Sequence, residues 1–174
     1  MDLEKLIRDV PDFPKKGIVF KDITPLLSHP EALKETADRM AEPFRNAGIE
    51  QVAGVESRGF IFGTMLADRL DAGFIPIRKP GKLPAEKISR TYGLEYGTAT
   101  IEIHTDAVSH PGQKILMVDD LLATGGTMEA ACHLIEKLGG EIAGVTFLIE
   151  LGFLPGREKL AEYDVRTLMT VDGE

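Results

Sequence analysis

An α/β fold with a mainly parallel central sheet flanked by helices is predicted by three observations. From Gln51 onward, short apolar runs of strand length alternate with longer helical stretches, the rhythm of βαβ units. Glycines punctuate the joints, at Gly73 and at Gly139-Gly140. The apolar run ending at Val118 passes through a small-residue turn into a helix, which presents that turn at the carboxyl edge of the sheet.

Taken in order, Leu3, Leu6, Ile7 and Val10 fall at helical spacing and predict a short amphipathic helix ending before Pro11. The Pro-, Gly- and Lys-rich segment after it is expected to be loop, with an extended piece around Ile18 to Phe20. Ser28 and Glu31 form a capping-box pattern for a helix bearing Leu33, Ala37, Met40 and Phe44, which Pro43 kinks or ends. Strands are expected at Val52–Val55, Phe74–Ile77, Thr98–His104, Lys114–Val118 and Ile142–Ile149, and helices at Phe60–Leu70 and Thr127–Leu138. Residues 78–97 show no periodicity, many charges and two prolines. An aperiodic stretch of that length inside a compact domain is expected to be functional or disordered.

The chain has 174 residues, which suits one domain spanning 1–174. Its 43% hydrophobic and 28% charged content is enough for a core and argues against disorder. A net charge of -8 disfavours nucleic-acid and anionic-membrane partners, which want a basic face. The single cysteine, Cys132, excludes an intramolecular disulfide framework or a multi-cysteine zinc site and fits a reducing cytoplasm. His104, His110 and His133 lack metal-ligand spacing. The N-terminus mixes charge into its apolar positions, and no run of about 18 apolar residues signals a membrane span.

The chemistry concentrates in ILMVDDLLATGGT, residues 115–127. Ala123, Thr124, Gly125, Gly126 and Thr127 offer unobstructed backbone N–H groups, two hydroxyls and a helix N-terminus, the parts of a phosphate cradle. Neither the Walker loop nor the dinucleotide GxGxxG pattern is present there. Asp119 and Asp120 would repel a phosphate directly, so their partners are hydroxyls or a divalent cation. A ligand that is phosphate at one end and a vicinal diol beside it, such as a ribose 5-phosphate, satisfies both halves. The alternative is a solvated strand end with a simple glycine turn.

That stretch resembles the ribose-phosphate signature of the type I phosphoribosyltransferases. Together with DFPKKGIVFKDITPLL, GVESRGFIFG, IRKPGKLP and LEYGTATIEIH, it resembles their adenine-specific branch over nearly the whole chain. The resemblance implies the type I phosphoribosyltransferase fold, with a small N-terminal hood at about 1–28 and a flexible catalytic loop at about 79–97. It implies transfer of a phosphoribosyl group from phosphoribosyl pyrophosphate to adenine, giving AMP and pyrophosphate, with Mg²⁺ held mainly by substrate and water. A homodimer is also implied.

By the same resemblance, Asp119 and Asp120 meet the ribose hydroxyls and residues 123–127 hold the 5-phosphate. Ser57 and Arg58, after the Val52–Val55 strand, take the pyrophosphate with Arg78, Lys79 and Lys82; the Glu56-Ser57 peptide is cis in many relatives. Glu95 and Tyr96 are the expected catalytic pair, Glu95 as proton acceptor or as holder of the purine N7 side. Val19, Phe20 and Lys21 form the hood over adenine, and Leu151 packs on its other side. Many relatives carry arginine where Lys21 stands, which leaves backbone readout of the base intact and puts a bidentate contact in doubt. A sensor that binds phosphoribosyl pyrophosphate without turnover is the alternative from another class. Such proteins usually append a DNA-binding domain, for which this chain has neither the room nor the basic character. Transfer to an oxopurine is disfavoured by the hood and by LEYG.

Overall fold

The computed structural model describes residues 1–94 and 96–173. Strands β1 (Arg8–Pro11) and β2 (Val19–Asp22) form an antiparallel hairpin. Helices α1 (Thr24–Leu27) and α2 (Pro30–Ala41) follow, then β3 (Gln51–Val55), α3 (Gly59–Arg69) and β4 (Gly73–Ile77). A second hairpin, β5 (Lys87–Gly93) and β6 (Thr98–His104), precedes β7 (Lys114–Leu122), α4 (Gly126–Lys137) and β8 (Glu141–Leu151). The one-turn helix α5 (Gly156–Lys159) and strand β9 (Val165–Val171) complete the order.

Five strands make the central sheet in the order β4-β3-β7-β8-β9, with every neighbouring pair parallel. Both faces are covered, which explains why β7 begins as an unbroken apolar run: Ile115, Leu116, Met117 and Val118 are all fully buried. Alternation then sorts them. Leu116 and Val118 join the cluster of Leu26, Met40, Phe62 and Leu66 from the α1, α2 and α3 side. Ile115 and Met117 join Ile101 and Ile103 of β6 and Leu134 and Ile135 of α4 on the other side. From β3 the chain steps outward to β4 in one direction, while β7 leads to β8 and β9 in the other. The crevice at the carboxyl ends of β3 and β7 is therefore the topological switch point, where open α/β sheets place ligands.

Several local expectations are corrected. Only Glu4–Leu6 is helical near the N-terminus, as one 3-10 turn, and Arg8–Pro11 is a strand. So short a helix is marginal alone, and pairing with β2 satisfies the same backbone groups. The Ser28 capping box does not form. Ser28 Oγ donates to the Pro25 carbonyl at 2.9 Å, and His29 caps α2 by accepting from Ala32 N–H at 3.3 Å, because Pro30 occupies the first helical position. Pro43 does end α2, at Ala41.

Within residues 78–97, the structure shows strand β5 where the sequence has no period. Only Ile88 and Tyr92 of β5 pack on the core, too few to print an alternation. Strand β7 runs four residues past Val118, to Leu122, so Asp119 and Asp120 lie inside it and not after it. Leu151 is the last residue of β8, and β8 is not the final strand, because β9 pairs along its far edge. Asp71, with φ 51°, makes the left-handed turn after α3, and Gly73 opens β4. Among the described residues, no helix is long and apolar enough to cross a membrane.

Candidate active site

Two turns converge on the switch-point crevice. After β3, Glu56, Ser57 and Arg58 lead into α3; after β7, residues 123–125 lead into α4. The Glu56–Ser57 peptide is cis. A cavity of about 450 Å³ opens there, walled by Ser57, Arg58, Lys79, Tyr92, Asp119, Asp120 and Thr127, among others. An adjoining hollow of about 220 Å³ is lined by Ala123, Thr124, Gly125, Gly126 and Thr127 together with Arg58 and both aspartates.

The hollow owes its shape to its glycines. Gly125 stands at the N-cap of α4 with φ 81°, a left-handed conformation that glycine adopts without penalty. A helix of this kind leaves its first N–H groups without intrahelical acceptors, directed at whatever sits in the loop. Positive backbone potential and hydroxyls therefore line one end of the site, and the carboxylates line the wall beside it.

Charge in the crevice is partly self-paired. Arg58 Nε donates to Asp120 Oδ2 in a close ion pair, and the Arg58 guanidinium lies 5.5 Å from the Phe20 ring centroid, within cation–π range. Asp120 N–H donates to Asp119 Oδ1 at 2.9 Å. Burial, followed by the adjacent Asp120 charge, pushes the Asp119 carboxyl well above its ordinary range. On the other side, Glu56 Oε2 accepts from Lys79 N–H at 3.0 Å and from Arg78 Nε at 3.2 Å. Burial alone would raise the Glu56 carboxyl; the Lys79 N–H and the Arg78 charge outweigh it and hold the group below its usual value.

Of the residues singled out from sequence, Ser57, Arg58, Lys79, Asp119, Asp120 and residues 123–127 line these two joined hollows. Arg78 does not line them itself but is held by Glu56, a wall residue of the larger cavity, and Lys82 is exposed, its main-chain carbonyl accepting from Arg78 Nη1 at 3.5 Å. In the hood, Phe20 reaches Arg58 and packs edge-on against Phe13 at 5.2 Å, while Val19 pairs with Pro11 across the hairpin. Lys21 points elsewhere, pairing with Asp9 at 2.8 Å beside a separate cavity of about 250 Å³. Leu151 is half-buried against the α2-side core and lines neither of the joined hollows. Tyr96 is 75% exposed, with Lys15 Nζ 4.4 Å above its ring. Glu95 lies outside the described residues.

Two residues escaped the sequence analysis. Tyr92 lines the larger cavity, and its hydroxyl shares a 2.9 Å hydrogen bond with Thr127 Oγ1, fastening the β5–β6 hairpin to the first turn of α4. Its aperiodic surroundings carried no signal. Glu56 holds Arg78 and the Lys79 backbone; the only hint was its place next to Ser57 and Arg58.

Residues 22–171 match the phosphoribosyl transferase domain family. An adenine phosphoribosyltransferase of Halothermothrix orenii is 62% identical over 169 residues, covering 97% of this chain and 99% of the relative. The crystal structure of adenine phosphoribosyltransferase from Thermoanaerobacter pseudethanolicus superimposes with a TM-score of 0.95 at 50% identity, covering 98% of each chain. The enzyme of Saccharomyces cerevisiae, solved with an imino-altritol bisphosphate and adenine, gives 0.90 at 40% identity over 96% of each chain.

Proposed function

The chain belongs to the adenine phosphoribosyltransferase family, and on that premise we propose how its residues carry out the reaction. It transfers the 5-phosphoribosyl group of phosphoribosyl pyrophosphate to adenine, yielding AMP and pyrophosphate. One observation supports the assignment of roles above all others: a cation from the β3–α3 turn, two carboxylates from β7 and the loop before α4 meet in one crevice.

The 5-phosphate sits in residues 123–127, where backbone N–H groups, the Thr124 and Thr127 hydroxyls and the α4 dipole meet its charge. The ribose hydroxyls donate to Asp119 and Asp120. The pyrophosphate lies toward Ser57, Arg58 and Lys79, with Arg78, just before the 79–97 loop, and Lys82, within it, supplying further positive charge. Adenine is covered by the hood: Phe20 stacks on the ring, the backbone of Val19 and Lys21 reads its edge, and Leu151 packs opposite. A carbonyl accepting from the 6-amino group opposes the 6-oxo group of hypoxanthine or guanine and discriminates against both.

The bond between the anomeric carbon and the pyrophosphate oxygen breaks as adenine N9 forms its bond to that carbon, through a transition state of oxocarbenium character. Adenine sheds one proton, and Glu95 accepts it or holds N7 so that N9 carries the attacking lone pair. Tyr96, the next residue in the chain, completes the pair, and closing the loop excludes the water that would hydrolyse the cation. Among the described residues no cluster of three or more metal-ligating side chains exists. The carboxylate oxygens of Glu56, Asp119 and Asp120 on the cavity wall suit a hard cation, and Mg²⁺ would be held mainly by pyrophosphate oxygens and water beside them. When bound, the ion neutralises charge on the departing pyrophosphate.

The chain works as one domain, 1–174, in the cytoplasm and as a homodimer. A base panel tests the assignment: protein, Mg²⁺ and phosphoribosyl pyrophosphate are mixed with adenine, hypoxanthine, guanine or xanthine in turn. Adenine alone is expected to be converted efficiently, and equal conversion of hypoxanthine would overturn the hood's role.

A further inference from the structure

The loop before α4 leans on a part of the chain that no step above uses. Gly156, at the start of α5, lies directly against it. A Cβ on Gly156 would collide with the Ala123 carbonyl oxygen and come within 2.8 Å of the Leu122 side chain. A Cβ on Gly125 would in turn meet the Gly156 carbonyl oxygen at 2.9 Å. The two backbones touch where only glycine fits.

The neighbouring residue fixes Gly156 in place. Arg157 grips Glu150 with both arms of its guanidinium, Nε to Oε1 at 2.7 Å and Nη2 to Oε2 at 2.5 Å. Its Nη1 donates to the Val165 carbonyl at 3.1 Å and Nη2 reaches Thr167 Oγ1 at 3.3 Å. Thr167 Oγ1 also donates to Glu150 Oε2 at 3.1 Å. Glu150 is 6% exposed, sits in β8, and is the register partner of Leu122, the last residue of β7. The connections close on themselves: Leu122 to Glu150 across the sheet, Glu150 to Arg157 by the ion pair, Gly156 back to Ala123 and Gly125.

An ion pair between a buried carboxylate and a half-exposed guanidinium is weak as a source of stability, because desolvation of Glu150 and solvent screening of Arg157 cancel much of the attraction. Its rigid fork geometry, however, fixes the orientation of what it joins. We propose that Glu150 and Arg157 are positioning residues that set the shape of the 5-phosphate loop through Gly156, and thereby the affinity for phosphoribosyl pyrophosphate. The inference rests on residues 123–127 holding the 5-phosphate.

Steady-state kinetics of Arg157→Lys, Arg157→Met and Gly156→Ala test it. Lysine keeps the charge and loses the fork; Gly156→Ala disturbs the contact and touches no charge. Each is expected to raise KM for phosphoribosyl pyrophosphate about tenfold, with kcat and KM for adenine within about twofold of wild type. A variant that merely folds poorly lowers kcat through its active fraction and leaves KM unchanged. That outcome in all three, or a wild-type KM for phosphoribosyl pyrophosphate in the folded variants, overturns the proposal. Thr127→Ala, in the first turn of α4 within the proposed phosphate cradle, is the control. If it raises that KM while the three variants do not, the loop assignment stands and the positioning role falls; if it has no effect, the loop assignment falls and takes the inference with it.

Discussion

Arg58 closes on Asp120 across the switch-point crevice, joining the turn after β3 to the end of β7. The same guanidinium lies 5.5 Å from the centre of the Phe20 ring. One side chain therefore touches the proposed ribose wall and the proposed base cover while lining the proposed pocket for the leaving group. Replacing it with lysine keeps the charge and loses the planar fork. Arg58→Lys is expected to raise KM for phosphoribosyl pyrophosphate roughly tenfold to a hundredfold. Equal rises for both substrates in initial-rate measurements would mean that Arg58 does not serve the pyrophosphate end.

The pair of aspartates in β7, Asp120 buried and Asp119 half-buried beside it, makes a prediction about pH. The folded state raises the Asp119 carboxyl above its ordinary value of 3.8 through burial and the Asp120 charge. The folded protein thus binds more protons than the unfolded chain between that value and the raised one, so stability is lost as pH rises through this window. Asp119→Asn cannot ionise and escapes the loss. Its melting temperature should exceed that of wild type at about pH 7.5, with the gap closing toward about pH 4. Its activity should fall sharply, because the amide replaces one acceptor oxygen with an NH₂ donor and is a weaker, uncharged acceptor for the ribose hydroxyls. A gap that persisted unchanged at acid pH would contradict the burial argument.

Phe20 should matter to the base alone. Stacking a base on an aromatic ring is worth about 1–3 kcal/mol, so Phe20→Leu is expected to raise KM for adenine by about 5- to 150-fold. KM for phosphoribosyl pyrophosphate should move little, since leucine still fills the space beside Arg58. Isothermal titration with adenine in the presence of pyrophosphate is the direct check.

Glu95→Gln separates proton transfer from orientation. If the carboxylate accepts the adenine proton, kcat should fall by about 10²- to 10⁴-fold. An unchanged kcat rules out essential proton transfer by this residue.

The parts of this molecule that were legible in the sequence are those with an unshared physical signature. Ile115 to Val118 announce a doubly covered strand because four consecutive apolar residues need burial on both faces. The loop before α4 was legible because two glycines flanked by threonines leave its backbone N–H groups unobstructed and because two acids precede it. Strand β5 was not, since only Ile88 and Tyr92 touch the core, and β9 was not, since it lies at the edge of the sheet and pairs on one side only. The N-terminal strand was hidden because Leu3, Leu6, Ile7 and Val10 satisfy a helical period, while the hairpin partner that decides the matter lies a dozen residues on. Tyr92 and Glu56 became visible only when the topology brought distant segments together. Lys21 shows the converse. Its sequence neighbours place it at the base, and the folded side chain turns to Asp9.

The transfer itself is tested most directly by following both products at once. Purified protein is mixed with Mg²⁺, phosphoribosyl pyrophosphate and adenine, and AMP and pyrophosphate are quantified over time. Equimolar AMP and pyrophosphate, both dependent on adenine and Mg²⁺, are expected. Pyrophosphate appearing without AMP, or neither product forming while phosphoribosyl pyrophosphate still binds, would contradict the assignment and leave the crevice a binding site or a hydrolytic one.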